Sequence, residues 1–78
     1  MYINFSHVWF ADSAFRHGVA KADALHACRN AIRIFRQDDL LMYVGADQSG
    51  RMLEVGVSTR GESSRVVHAM PARSNFLR

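Results

Sequence analysis

The sequence predicts an α+β fold: two N-terminal helices packed on one face of a four-stranded antiparallel meander sheet, with a short C-terminal helix or tail. Three observations lead there. Apolar residues recur every three or four positions up to Ile32, as on helices. From Ala31 the pattern turns to alternation rich in β-branched and aromatic residues, as on strands. The signals between the alternating runs, Asp38-Asp39, Asp47-Gln48-Ser49-Gly50 and Gly61, leave room only for hairpins, which pair strands antiparallel.

Taken in order, Ser6 is placed to cap a first helix running to about Arg16, its side-chain oxygen accepting from an unpaired amide of the first turn. Phe5, Val8, Asp12 and Phe15 share helical spacing, and Gly18 suits its end. A second helix starts near Ala20, with Ala22, Leu25, Cys28 and Ile32 as its apolar stripe. That stripe makes Cys28 a small core residue rather than a nucleophile. Strands follow at Ala31 to Arg36, Leu40 to Gly45, Arg51 to Arg60 and Ser64 to Met70, the last ended by Pro71. In the third of these, Leu53, Val55 and Val57 point one way, and Met52, Glu54, Gly56 and Ser58 the other. Residues 72–78 suit a short helix. The helices cover one sheet face, and the other is expected to be open.

The 78 residues form one domain, 1–78, of a size that buries only about 60% of its unfolded surface. Cys28 is the single cysteine, so neither an internal disulfide nor a thiolate cluster adds stability. With 49% hydrophobic residues the composition is globular. No apolar run approaches the roughly 20 residues of a membrane span, and MYINFSHVWFAD lacks the pattern of a secretory signal. The expected location is therefore cytoplasmic, and the Asn4-Phe5-Ser6 sequon carries no weight. Charge is uneven. Arg16, Lys21, Arg29, Arg33 and Arg36 balance Asp12, Asp23, Asp38, Asp39 and Asp47 in residues 1–50. Arg51, Arg60, Arg65, Arg73 and Arg78 against Glu54 and Glu62 leave +3 in the remainder. Arginine carries a planar fork suited to phosphate, although a charge of this size also suits an ordinary solvated surface.

His7, His17, His26 and His68 show no metal-ligand spacing, and neither a phosphate-binding glycine loop nor a serine-elbow motif is present. No metal or cofactor is expected. What remains is acid–base and arginine chemistry. Cleavage of RNA by its own 2′-hydroxyl needs a base, an acid and a cation for the charge on the phosphorane. His17, His68, Glu54 and the arginines are the right residue types. Each also has an ordinary role. His68 shares the parity of Val66 and Met70 and would be half-buried if they face the core. His17 complements a helix C-terminus, and Glu54 can pair across strands with Arg65 or Arg36.

Phe15-Arg16-His17-Gly18-Val19, Tyr43-Val44-Gly45 followed by Gly50-Arg51-Met52-Leu53-Glu54-Val55, and Arg65 to Arg73 (RVVHAMPAR) together resemble, in order and spacing, the BrnT-type ribonuclease toxins of bacterial toxin–antitoxin pairs. The resemblance covers about Phe15 to Arg73, and the last segment is similar to short actinobacterial variants. It implies a RelE-like fold with an open, RNA-facing sheet side. It also implies a cognate antitoxin, typically a ribbon-helix-helix DNA binder, that covers the toxic surface. Where better-known members end the last strand in Ser-Ala-Arg and a basic helix, this chain has His68 and Met70, then Pro71, with only Arg73 and Arg78 as basic residues.

The expected activity is a metal-independent endoribonuclease toxin that cleaves mRNA and arrests growth. Arg73 is assigned to phosphate stabilisation, His68 and His17 to acid–base or binding roles, and Glu54 to a general base or arginine-orienting role. Arg36, Arg51, Arg65 and Arg78 are the candidate backbone contacts, which position RNA without reading sequence. Two other readings stand beside it. One is a non-catalytic module that docks an antitoxin-like partner. The other is a structural homodimer built on an apolar patch of Trp9, Phe10, Tyr43 and Met52.

Overall fold

The computed structural model describes Phe5, residues 8–61 and residues 63–77. Its elements are β1 (Trp9–Phe10), a 3-10 turn (Asp12–Phe15), α1 (Lys21–Arg29), β2 (Ala31–Gln37), β3 (Leu40–Ala46), β4 (Met52–Ser58), β5 (Arg65–Pro71) and a second 3-10 turn (Ser74–Phe76). One five-stranded sheet runs β1-β5-β4-β3-β2. The last four strands form the expected antiparallel meander within a residue or two of the positions read from the sequence.

The N-terminal third departs from the expected two helices on a four-stranded antiparallel sheet. Among the described residues there is one α-helix, and the sheet is mixed, because β1 pairs parallel with the start of β5, Trp9 beside Arg65 and Phe10 beside Val66. The Ser6 cap lies outside the described residues. The helical spacing of Val8, Asp12 and Phe15 is overridden by the bare edge of β5. The Trp9 amide donates to Ser64 O (3.3 Å) and the Ala11 amide to Val66 O (2.9 Å), so the edge finds the partners that buried backbone demands. Helix α1 and strands β2 to β4 lie between β1 and β5 in the chain, which supplies the long connection that a parallel pair needs. A single 3-10 turn then leads to Gly18, whose φ of 75° lets the chain swing into α1.

Helix α1 buries Ala24, Ala27 and Cys28, not the full expected stripe: Ala22 is exposed and Ile32, in β2, is 76% exposed. The small residues let the helix lie close to the sheet. A Cβ on Gly45 would strike the carbonyl oxygen of Ala27 and come within 3.0 Å of the Ala31 Cα. His26 anchors the same end, its Nδ1 donating to Ala46 O at 2.7 Å. Below the helix, Leu41, Tyr43, Leu53, Val55, Val57, Val66 and Ala69 make the main core. Burial pushes the Cys28 thiol up to about 12, so it is protonated at neutral pH and serves as a packing residue.

The opposite sheet face is not open, as had been expected. After Pro71 the chain turns back across it, the Ala72 amide donating to Met52 O at 2.9 Å. Phe76 seats on Met42 and Val44, with Phe35, Leu40, Met52 and Ala72 around them. The apolar residues of β3 explain this: β3 is buried on both faces, and alternation alone cannot show which cover each face receives.

Gly45→Ala is expected to lower unfolding free energy by about 1–3 kcal/mol, the usual cost of overpacking. Urea denaturation monitored by circular dichroism measures this; an unchanged midpoint would contradict the close helix–strand approach.

Candidate active site

Four residues singled out from the sequence, His17, Glu54, His68 and Arg73, meet at one place. Glu54 projects from β4 on the face away from α1 and is 0% exposed. A buried carboxylate needs its lone pairs filled, and here they are. Oε1 accepts from the backbone amide and Nε of Arg73, both at 3.0 Å, and Oε2 accepts from Arg73 Nη2 at 2.8 Å. Oε2 also meets His68 Nε2 at 2.8 Å. Burial is the largest influence on this carboxyl and pushes it up. The side-chain and backbone hydrogen bonds from Arg73, with that from His68, outweigh burial and hold it below its ordinary value. Glu54 is thus an ionised, fully engaged carboxylate, which fits the arginine-orienting role rather than that of a general base. The expected cross-strand partners, Arg65 and Arg36, are not the ones it has.

His68 reaches Glu54 because β5 is bulged. Val57 pairs with Val66 and Gly56 with His68, which leaves Val67 as the extra residue. Val66 and Ala69 therefore enter the main core, while His68 faces the other way with Met70, so the parity with Val66 read from the sequence ends at the bulge. Two local features permit it. Ser13 Oγ donates to the Val67 carbonyl at 2.7 Å. Gly56 makes room, since a Cβ there would lie 3.2 Å from the His68 Cβ. With the Nε2 proton directed at Glu54, Nδ1 of the neutral ring is left as an acceptor. The His68 side chain is 27% exposed.

The turn after the first 3-10 segment brings His17 alongside, the two imidazole centroids 6.0 Å apart and nearly perpendicular. Arg73 lies side-on to Glu54 through Nε and Nη2, and its side chain is 53% exposed. Its guanidinium carbon sits 4.8 Å from the Phe76 ring centroid. His68 and Arg73 line an open groove of about 280 Å³ with Gln37, Asp38, Leu40 and Met42.

The candidate RNA contacts do not converge on this groove. Arg36 pairs with Leu41 and so lies on the α1 side of the sheet. Arg51 sits at the β3–β4 hairpin, held by Asp47 at 3.3 Å. Arg65 lines a separate pocket with Trp9 and Asp12, and Arg78 lies outside the described residues. Among the described residues no three His, Cys, Asp or Glu side chains gather as a metal-ligand set, and no helix is long and apolar enough to cross a membrane. The chain matches no protein-family model, no curated protein and no solved structure.

Because folding holds Glu54 below its ordinary 4.5, the stability it contributes is fully present above that pH and is lost as pH falls through the lowered value. Glu54→Gln is expected to cost about 1–2 kcal/mol at pH 7, at the low end for charged hydrogen bonds because the half-open Arg73 side admits screening water. The gap from the parent should narrow as pH falls below 4.5 in urea titrations. A gap that stays constant with pH would mean that Glu54 is not ionised in the folded protein.

Proposed function

We propose that this chain is a metal-independent endoribonuclease of the toxin type, acting in the cytoplasm and held in check by a protein antitoxin. The observation that carries the reading is the Glu54–His68 pair with His17 beside it and Arg73 at the groove wall. A buried carboxylate that holds one imidazole nitrogen as a donor leaves the other as a base, the arrangement that orients histidines for proton transfer. In this reading His68 Nδ1 takes the proton of the 2′-hydroxyl as that oxygen attacks phosphorus. Protonated His17 gives its proton to the departing 5′-oxygen as the P–O5′ bond breaks. Arg73 faces the negative charge gathering on the phosphorane, and Glu54 positions His68 and Arg73 without touching substrate. The products are a 2′,3′-cyclic phosphate and a 5′-hydroxyl. The similarity of residues 15–73 to BrnT-type toxins supplies the cellular setting, with a ribbon-helix-helix antitoxin as the expected partner.

A second reading, a non-catalytic module that docks an antitoxin-like protein, is favoured by one specific observation: Arg36, Arg51 and Arg65 lie at separate places on the sheet, so no continuous basic track leads RNA to the groove.

Induction of the chain in a bacterial host is expected to arrest growth with loss of total RNA. The purified protein should cleave single-stranded RNA in EDTA to cyclic-phosphate ends. His68→Ala should lower the rate by about 10²-fold or more, the usual contribution of a general base. His17→Ala should do likewise, and Glu54→Gln should displace the pH–rate profile. Intact RNA and normal growth at matched soluble expression would leave the docking module as the function.

A further inference from the structure

The segment that carries His17 to the His68 ring also builds a second pocket, one that the proposed chemistry does not use. Trp9, Phe10, Ala11, Asp12, Ser63 and Arg65 enclose about 350 Å³ at the β1 end of β5. Trp9 is the chain's sole tryptophan and is 65% exposed. A large ring left in water at a pocket mouth is costly, and β1 holds it there through backbone bonds to Ser64 and Val66. Behind it the wall is stiff: Phe10 stacks on Phe15 at 5.6 Å and 20°, with Lys21 Nζ 5.3 Å from the Phe10 centroid. Asp12 adds an acceptor and Arg65 an exposed cation.

An open aromatic face beside an arginine and a carboxylate suits one ligand chemistry: a flat, hydrogen-bonding heterocycle attached to phosphate. The ring stacks on tryptophan, arginine meets the phosphate, and the carboxylate accepts from ring N–H or amino groups. The two sites share no lining residue but lie along one strand. Arg65 and His68 stand three positions apart on the same strand, and the 3-10 turn runs from Asp12 at the pocket towards His17 beside His68. Three strand residues span roughly 10 Å, less where a bulge bends the strand, a distance within the reach of a dinucleotide.

We propose that the Trp9–Arg65 pocket is a nucleobase subsite that stacks one base of single-stranded RNA next to the phosphate presented to His68 and His17. This rests on the ribonuclease reading for its substrate, but its test does not depend on cleavage.

Trp9 is its own reporter. Its emission is titrated with nucleoside 5′-monophosphates and with a short single-stranded oligonucleotide 2′-O-methylated throughout, which lacks the attacking hydroxyl. Saturable quenching is expected from both, tighter for the oligonucleotide because it also reaches the groove. In anisotropy titrations of the labelled oligonucleotide, Trp9→Ala should weaken binding by roughly 5- to 100-fold, the range for loss of one base stack. Trp9→Phe should lose less, Arg65→Ala should also weaken binding, and Arg29→Ala, in the exposed last turn of α1, should bind as the parent does. Circular dichroism of each variant checks folding, and the unmodified protein's own quenching needs no variant. Absence of quenching by either probe overturns the subsite. So does oligonucleotide binding that Trp9→Ala and Arg65→Ala leave unchanged, even if RNA is cleaved. Saturable quenching without any cleavage of unmodified RNA upholds the subsite and removes the ribonuclease reading instead.

Discussion

The buried carboxylate of Glu54 is the constraint around which the second half of the molecule is arranged. A charge at the centre of a sheet face is tolerated only if every lone pair is occupied. Here that requirement recruits the amide and guanidinium of Arg73 from the C-terminal segment and the imidazole of His68 from the neighbouring strand. Holding Arg73 in place brings Phe76 onto Met42 and Val44, so the same interaction that satisfies the charge also closes the sheet face with an apolar plug. Stability of the C-terminal segment and orientation of His68 therefore have one source.

The cost of this arrangement is borne by the backbone of β5. To have Val66 and Ala69 in the core and His68 against Glu54, the strand must contain one residue too many, and Val67 is that residue. Its carbonyl, displaced from regular pairing, is met by Ser13 from the N-terminal 3-10 turn. The N-terminal segment is thus tied to the bulge, with β1 paired just before it and His17 emerging just after. Because the groove and the Trp9 pocket both lie along β5, a change at the bulge would act on both together.

Much of this was legible in the sequence. The four strands of the meander follow from alternation and turn residues, and the helix at Lys21–Arg29 follows from the apolar spacing around Cys28. His17, Glu54, His68 and Arg73 were singled out as residue types suited to phosphodiester chemistry, and they do assemble. Their partners were not legible. Glu54 stood on what read as a solvated polar face and turned out fully buried, because the cover over that face comes from residues 72–76, a stretch with no periodicity of its own. The parity that His68 shares with Val66 in the sequence is broken in the structure, because a bulge leaves no reliable mark in the side-chain pattern. The N-terminal helix failed for a related reason: a few residues at helical spacing weigh less than an unpaired strand edge that exists only once β5 has formed.

The sequence by itself thus determined where the chain alternates and where it turns, since side-chain period and turn chemistry are local properties of consecutive residues. It also determined which residue types were at hand for chemistry. Tertiary structure alone decided that Trp9 and Phe10 form a parallel edge strand, that the tail covers the second face, and that Glu54 is paired with His68 and Arg73. Those outcomes depend on unsatisfied backbone edges and buried charge, and both arise only when distant segments meet.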